Sequence, residues 1–101
     1  MRGIDYLQQR PEVDADKIGA TGSSGGGTMT AVLAAVDQRV KAAAPGTFIT
    51  SRREYLHAGS PQDAEQIWPG ATLNLFDHYD LISCICPRAC MILGVKSDFF
   101  C

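Results

Sequence analysis

Lys17-Ile18-Gly19-Ala20-Thr21-Gly22-Ser23-Ser24-Gly25-Gly26-Gly27 runs into Thr28-Met29-Thr30-Ala31-Val32-Leu33-Ala34-Ala35, and this stretch decides the fold. Residues 22–26 read G-x-S-x-G. A short apolar run precedes them and a helix-forming run follows. Strand, sharp turn and helix are the context in which this motif presents a nucleophilic serine. A strained backbone at Ser24 would lift its hydroxyl clear of the sheet. Gly22 and Gly26 leave room where strand and helix cross, since side chains there would collide. The N–H of Gly25 points toward the place where an oxyanion would form, which makes Gly25 the candidate oxyanion-hole donor. The helix N-terminus adds partial positive charge in the same direction.

Working outward, Val13-Asp14-Ala15-Asp16 is a polar turn, and residues 18–21 are short enough for a buried parallel strand. Met29, Val32, Leu33 and Val36 recur at three- and four-residue steps, which predicts one apolar helix face, with the helix running to about Gln38. Residues 40–44 read as a second strand ended by Pro45-Gly46. Upstream, residues 2–9 read as the end of a helix, with Ile4 and Leu7 on one face and Pro11 closing it. Downstream, short helices are expected over residues 53–57 and 63–67, among the breakers Pro61, Pro69 and Gly70. Residues 73–83 look helical, Pro87 breaks the chain, and residues 90–95 form a continuous apolar run expected to be a third buried strand. Strands alternating with helices imply an α/β fold: a parallel sheet of about three strands with flanking helices.

The chain has 101 residues, enough for one domain. A net charge of −2 gives no electrostatic case for nucleic acid or an anionic membrane as partner. No apolar run reaches the length of a membrane span, and residues 1–7 lack the apolar core of a signal peptide. Cys84, Cys86 and Cys90 are spaced C-x-C-x3-C, and Cys101 stands apart. Zinc patterns favour paired C-x2-C units, and no second pair exists here, so no metal is expected. The thiols read instead as small buried hydrophobes. No other cofactor is called for.

Ligands and catalytic groups gather beyond the carboxyl ends of parallel strands. Lys96-Ser97-Asp98 follows the third apolar run, so Asp98 is expected on the same sheet edge as Ser24, where a carboxylate can orient a histidine. The histidines, His57 and His78, precede Asp98 and read as surface or satisfied core residues. Asp77 and Asp80, three apart, suit the negative charge preferred at a helix start. Arg52-Arg53 is too small a basic pair for a nucleic-acid surface, and Trp68, beside Pro69-Gly70, reads as packing under a loop.

Asp14-x-Asp16-Lys17-Ile18-Gly19-x-x-Gly22-x-Ser24-x-Gly26-Gly27 resembles the elbow region of α/β-hydrolases, and more narrowly the acetyl-xylan-esterase-like and dienelactone-hydrolase-like branch. Asp77-His78-Tyr79-Asp80-Leu81, Pro87-Arg88 and the apolar strand leading to Asp98 resemble the same branch. The resemblance implies a partial α/β-hydrolase fold. It also implies a serine esterase acting on a small-molecule ester through an acyl-enzyme, with Ser24 as nucleophile, Asp98 as triad acid and Gly25 in the oxyanion hole. In that family several strands precede the nucleophile strand, and the triad histidine follows the acid. The resemblance therefore implies that residues 1–101 are one partial domain truncated at both ends and lacking the catalytic histidine, since neither His57 nor His78 matches its position. Without a preceding strand, residues 18–21 would be an exposed edge open to self-association. Two other readings stay open. One is a non-catalytic remnant that keeps the motif without activity. The other is a dinucleotide- or phosphate-binding α/β unit. Its G-x-G-x-x-G would need Gly where Ser24 stands, and an acidic residue where Ala44-Pro45-Gly46 ends the second strand.

Overall fold

A computed structural model describes residues 1–57 and 68–96. The elements, in order, are α1 (Arg2–Gln8), β1 (Gly19–Ser23), α2 (Gly25–Val36), β2 (Ala42–Gly46), α3 (Arg52–His57), α4 (His78–Ile85) and β3 (Ala89–Cys90). The three strands form one parallel sheet in the order β1-β2-β3, with Thr21 opposite Ala44 and Ala43 opposite Cys90. The expected α/β architecture is therefore present. The expected helix over residues 63–67 lies outside the described residues.

Ile4 of α1, Ile18, Ala34 of α2, Val40, Ala43 of β2 and Ile85 of α4 form one buried cluster. Helices α1, α2 and α4 thus cover one face of the sheet. On β1, Gly19, Thr21 and Ser23 are exposed while Ala20 and Gly22 are half-buried. The buried strand expected over residues 18–21 is thus only partly buried, because all three of these helices feed a single core.

Helix α2 presents a different face from the one predicted. Gly27, Thr28, Thr30, Ala31 and Ala34 are buried, whereas Met29 is 55% and Val36 61% exposed. The cause is close approach to the sheet. A Cβ on Gly27 would run into the carbonyl oxygen of Gly46 in β2, and its next neighbours would be at 3.0 and 3.1 Å. Only small side chains fit such a seam, so Met29 and Val36 turn away, while Leu33 keeps a half-buried place against the core. The helix also ends at Val36, two residues short of the expected end, because Asp37 turns extended and caps it.

The second strand continues through Pro45 and Gly46 instead of stopping before them. Pro45 has no N–H to give, but its carbonyl still accepts from Leu93 N–H at 3.0 Å. The third apolar run is a strand only over Ala89–Cys90, extended by the Met91 N–H to Ala43 carbonyl bond (2.9 Å) and a bridge between Gly46 and Leu93. Met91, Ile92, Leu93 and Val95 are exposed, contrary to the buried strand expected. They sit at the edge of the sheet.

The helix expected over residues 73–83 starts five residues later. Residues 71–75 are turns: Gly70 and Leu75 have φ of +75° and +57°, and the Asn74 side chain donates to the Gly70 carbonyl at 2.7 Å. Asp77 then supplies a helix start. Its carboxylate accepts from His78 N–H at 2.7 Å, and the Asp80 carboxylate accepts from Asp77 N–H at 2.7 Å, a reciprocal capping box. The same Asp77 carboxylate accepts from Arg52 N–H at 2.9 and 3.0 Å, so one side chain caps the starts of both α3 and α4.

Arg88 joins the other ends. Its guanidinium donates to the carbonyls of Ala34 and Val40 at 2.7 Å each, of Asp37 at 3.2 Å and of Cys84 at 3.3 Å. These carbonyls belong to the ends of α2 and α4 and the approach to β2, where helical carbonyls have no partner within the helix. Arg39 fixes the same corner, with its guanidinium on both oxygens of Asp37 (2.9 and 2.7 Å) and on Asp5 (2.8 Å). The hydrogen bonds from Arg39 hold the Asp37 carboxyl well below the usual carboxylate range.

Candidate active site

Ser24 stands between β1 and α2 with φ +56° and ψ −124°. This is a region a non-glycine residue enters only at a cost and only where its surroundings force it. They do so here from both sides. The Ser24 N–H donates to the carbonyl of Gly46 at 3.1 Å and to Thr47 Oγ1 at 2.6 Å. The Ser24 carbonyl accepts from the N–H groups of Gly27 (2.8 Å) and Thr28 (3.1 Å). The side chain is exposed and makes no capping bond. The N–H groups of Gly25 and Gly26, in the first turn of α2, have no hydrogen-bond partner among the described residues.

Glycine is needed on both sides of the turn, though not at both positions expected. A Cβ on Gly22 would collide with the carbonyl oxygen of Gly26 and come within 2.6 Å of its carbonyl carbon. A Cβ on Gly26 meets nothing within 4 Å. The second constrained glycine is Gly27, which seats the helix on β2. The G-x-S-x-G pattern alone does not mark Gly27. The signal that could have found it is the third consecutive glycine, which costs helix stability and so calls for a steric reason.

Parallel pairing puts the carboxyl ends of β1, β2 and β3 on one edge of the sheet. Ser24 follows β1 at that edge and Thr47 follows β2. The chain beyond Leu93 leaves β3 there too, with β2 lying between the first and third strands. Asp98 lies outside the described residues, as does Cys101.

Neither histidine reads as a partner for the serine. His57 ends α3 and is exposed. His78 is buried, and its Nδ1–H donates to the Thr50 carbonyl at 2.8 Å, which leaves Nε2 as an acceptor without a partner among the described residues. Burial pushes its pKa below the ordinary imidazole value, with Arg52 adding in the same direction, against the Thr50 bond and Asp77. Trp68 packs edge-on against His78 (5.3 Å between ring centres) and Phe76 (5.6 Å). The Arg52 guanidinium lies 5.2 Å over the Trp68 ring. Trp68 is thus a packing residue, as the sequence suggested. Cys84, Cys86 and Cys90 are free and exposed, which corrects the expectation that they serve as buried hydrophobes: α4 turns Cys84 away from the core that Ile85 enters. Although Cys90 is exposed, partial desolvation of its thiol raises its pKa above the ordinary value.

A parallel sheet whose first strand feeds a strained serine and then a close-packed helix defines the α/β-hydrolase class. The chain belongs to the prolyl oligopeptidase family, whose model matches residues 1–90. Among solved structures it is similar to the glucuronoyl esterase catalytic domain from Hypocrea jecorina, with a TM-score of 0.73 and 26% identity. That likeness covers 98% of this chain and 34% of the esterase, so the chain spans about a third of that domain's length. A comparison with curated proteins returns no match.

Proposed function

We propose that the chain carries the nucleophile segment of a serine hydrolase of the carboxylic-ester type. Ser24 Oγ attacks the ester carbonyl while a base supplied by the rest of the hydrolase takes its proton, the N–H of Gly25 receives the developing oxyanion, and the acyl-enzyme forms as the C–O bond breaks and the base returns that proton to the departing alcohol. Asp98, on the chain beyond β3, is the acid that orients the base. The observation that carries this reading is the Ser24 turn itself. A non-glycine residue at φ +56° is held by hydrogen bonds on both flanking peptides, and among the described residues its exposed hydroxyl and the N–H groups of Gly25 and Gly26 have no partner. A purely structural turn at this point would take glycine and avoid the strain. Membership of the prolyl oligopeptidase family and the likeness to an esterase support the same class.

A fluorophosphonate probe tests it on the intact hydrolase that carries this segment, because such probes react with serines activated by a base. The expected result is one adduct by intact mass, mapped to Ser24 and absent from Ser24→Ala. Labelling elsewhere, or equal labelling of the variant, refutes the assignment. A folded chain that takes no label at all would favour the non-catalytic reading.

A further inference from the structure

We propose that Thr47 is a positioning residue for Ser24, a role that rests on reading Ser24 as the nucleophile. Thr47 and Phe48 have φ of +57° and +41°. Two consecutive non-glycine residues in the left-handed region, the first of them β-branched, are a local strain that persists only where the surroundings over-determine it. What determines it is visible. The Thr47 N–H donates to the Leu93 carbonyl at 2.9 Å, and the Leu93 N–H donates to the Pro45 carbonyl at 3.0 Å. The backbone of Thr47 is thereby tied to the strand that leads toward Asp98. Its side chain reaches the other way: Oγ1 accepts from the Ser24 N–H at 2.6 Å, sharing it with the Gly46 carbonyl at 3.1 Å.

This contact acts on the dihedral that matters. Rotation about the N–Cα bond of Ser24 sets where its side chain points, and the orientation of the preceding peptide is the reference for that rotation. Two acceptors on the Ser24 N–H fix that peptide. The Gly27 and Thr28 N–H groups fix the next one through the Ser24 carbonyl. The N–H of Gly25 lies in that second peptide. Thr47 therefore holds the serine hydroxyl and the first free helix N–H in one mutual geometry, and it does so from the strand end next door. Positive φ at Thr47 carries its Cβ to the side of the chain on which Ser24 lies. An ordinary extended residue would place its side chain elsewhere.

The test compares Thr47→Val, which keeps the shape and deletes the acceptor, with Thr47→Ser, which keeps the acceptor. Fluorophosphonate labelling of Ser24 should slow about tenfold in Thr47→Val, the loss of one well-placed hydrogen bond, and stay within about twofold in Thr47→Ser. Thermal melts identify any variant that simply fails to fold. In that event Thr47→Gly, which relieves the positive φ while removing the hydroxyl, is read in the same way. Labelling of Thr47→Val at the wild-type rate overturns the proposal. If the wild type takes no label, the reading of Ser24 has failed, and hydrogen exchange of the Ser24 amide decides for Thr47. Exchange at least tenfold faster in Thr47→Val but not in Thr47→Ser supports the bond, and equal exchange in all three removes it.

Discussion

Replacing Gly27 by Ala tests whether close approach of α2 to β2 sets the architecture around the serine. The added methyl would meet the carbonyl oxygen of Gly46, whereas ordinary contact begins at 3.4 Å. The neighbour is strand backbone, which cannot rotate aside as a side chain would, so the helix must retreat by something on the order of an ångström. Overpacking of this kind costs about 1–3 kcal/mol, and an immovable neighbour puts it toward the upper end. Alanine returns about 0.5–1 kcal/mol through its helix preference over glycine. The net loss is about 2 kcal/mol, which lowers the melting temperature of a domain this size by about 10 °C. Gly26→Ala is the control, one residue away in the same helical turn. Its methyl meets nothing within 4 Å, so only the propensity gain remains and the sign reverses. Thermal and urea unfolding followed by far-UV circular dichroism measures both. Equal stability of Gly27→Ala and wild type, or a loss in Gly26→Ala as large as that in Gly27→Ala, would refute the steric argument.

Arg88→Met should cost about 2–3 kcal/mol in urea unfolding, because it leaves several helix-end carbonyls without their shared donor. Arg88→Lys should recover little of it, since one ammonium cannot span the same carbonyls; full recovery would show that charge alone matters. His78 is favoured neutral in the fold, so the unfolded chain takes up its proton first as pH falls. Stability from this group is complete above about pH 6.5 and declines below it, by at most about 1.4 kcal/mol per pH unit. His78→Asn should remove that slope between pH 5 and 7. An imidazole that titrates at or above the ordinary value by NMR would contradict the assignment.

The turn and the sheet were legible because their signals are local. Gly22, Ser24 and the apolar run before them sit within a few residues of one another, and alternation of strand and helix fixes parallel pairing. What the sequence did not yield depends on contacts far along the chain. The apolar stripe of Met29, Val32, Leu33 and Val36 has correct helical spacing, yet the seam at Gly46 selects the small residues instead. Asp77 was legible as helix-start charge but not as a cap for α3, 25 residues earlier in the chain. Thr47 carries no motif, and its role emerges only when β2 has been laid beside β1.

The guanidinium of Arg88 also dictates an order of assembly. Its bonds to Ala34 and Val40 bridge 54 and 48 residues of chain. A nascent chain that has emerged through β2 holds the serine turn and all of α2, but the far end of that helix waits for a donor not yet synthesised. Arg88 follows the end of β2 by 42 residues, so at ribosomal speeds of about 5–20 residues per second the wait is about 2–8 s. Throughout that interval the helix is seated by its glycine seam and by Ala34 against Ile4, Ile18, Val40 and Ala43, with the carbonyls that Arg88 will bind open to water or to any competing donor. Completion of this unit therefore waits for Arg88, and a pause just short of it would expose a formed turn on an unfinished helix.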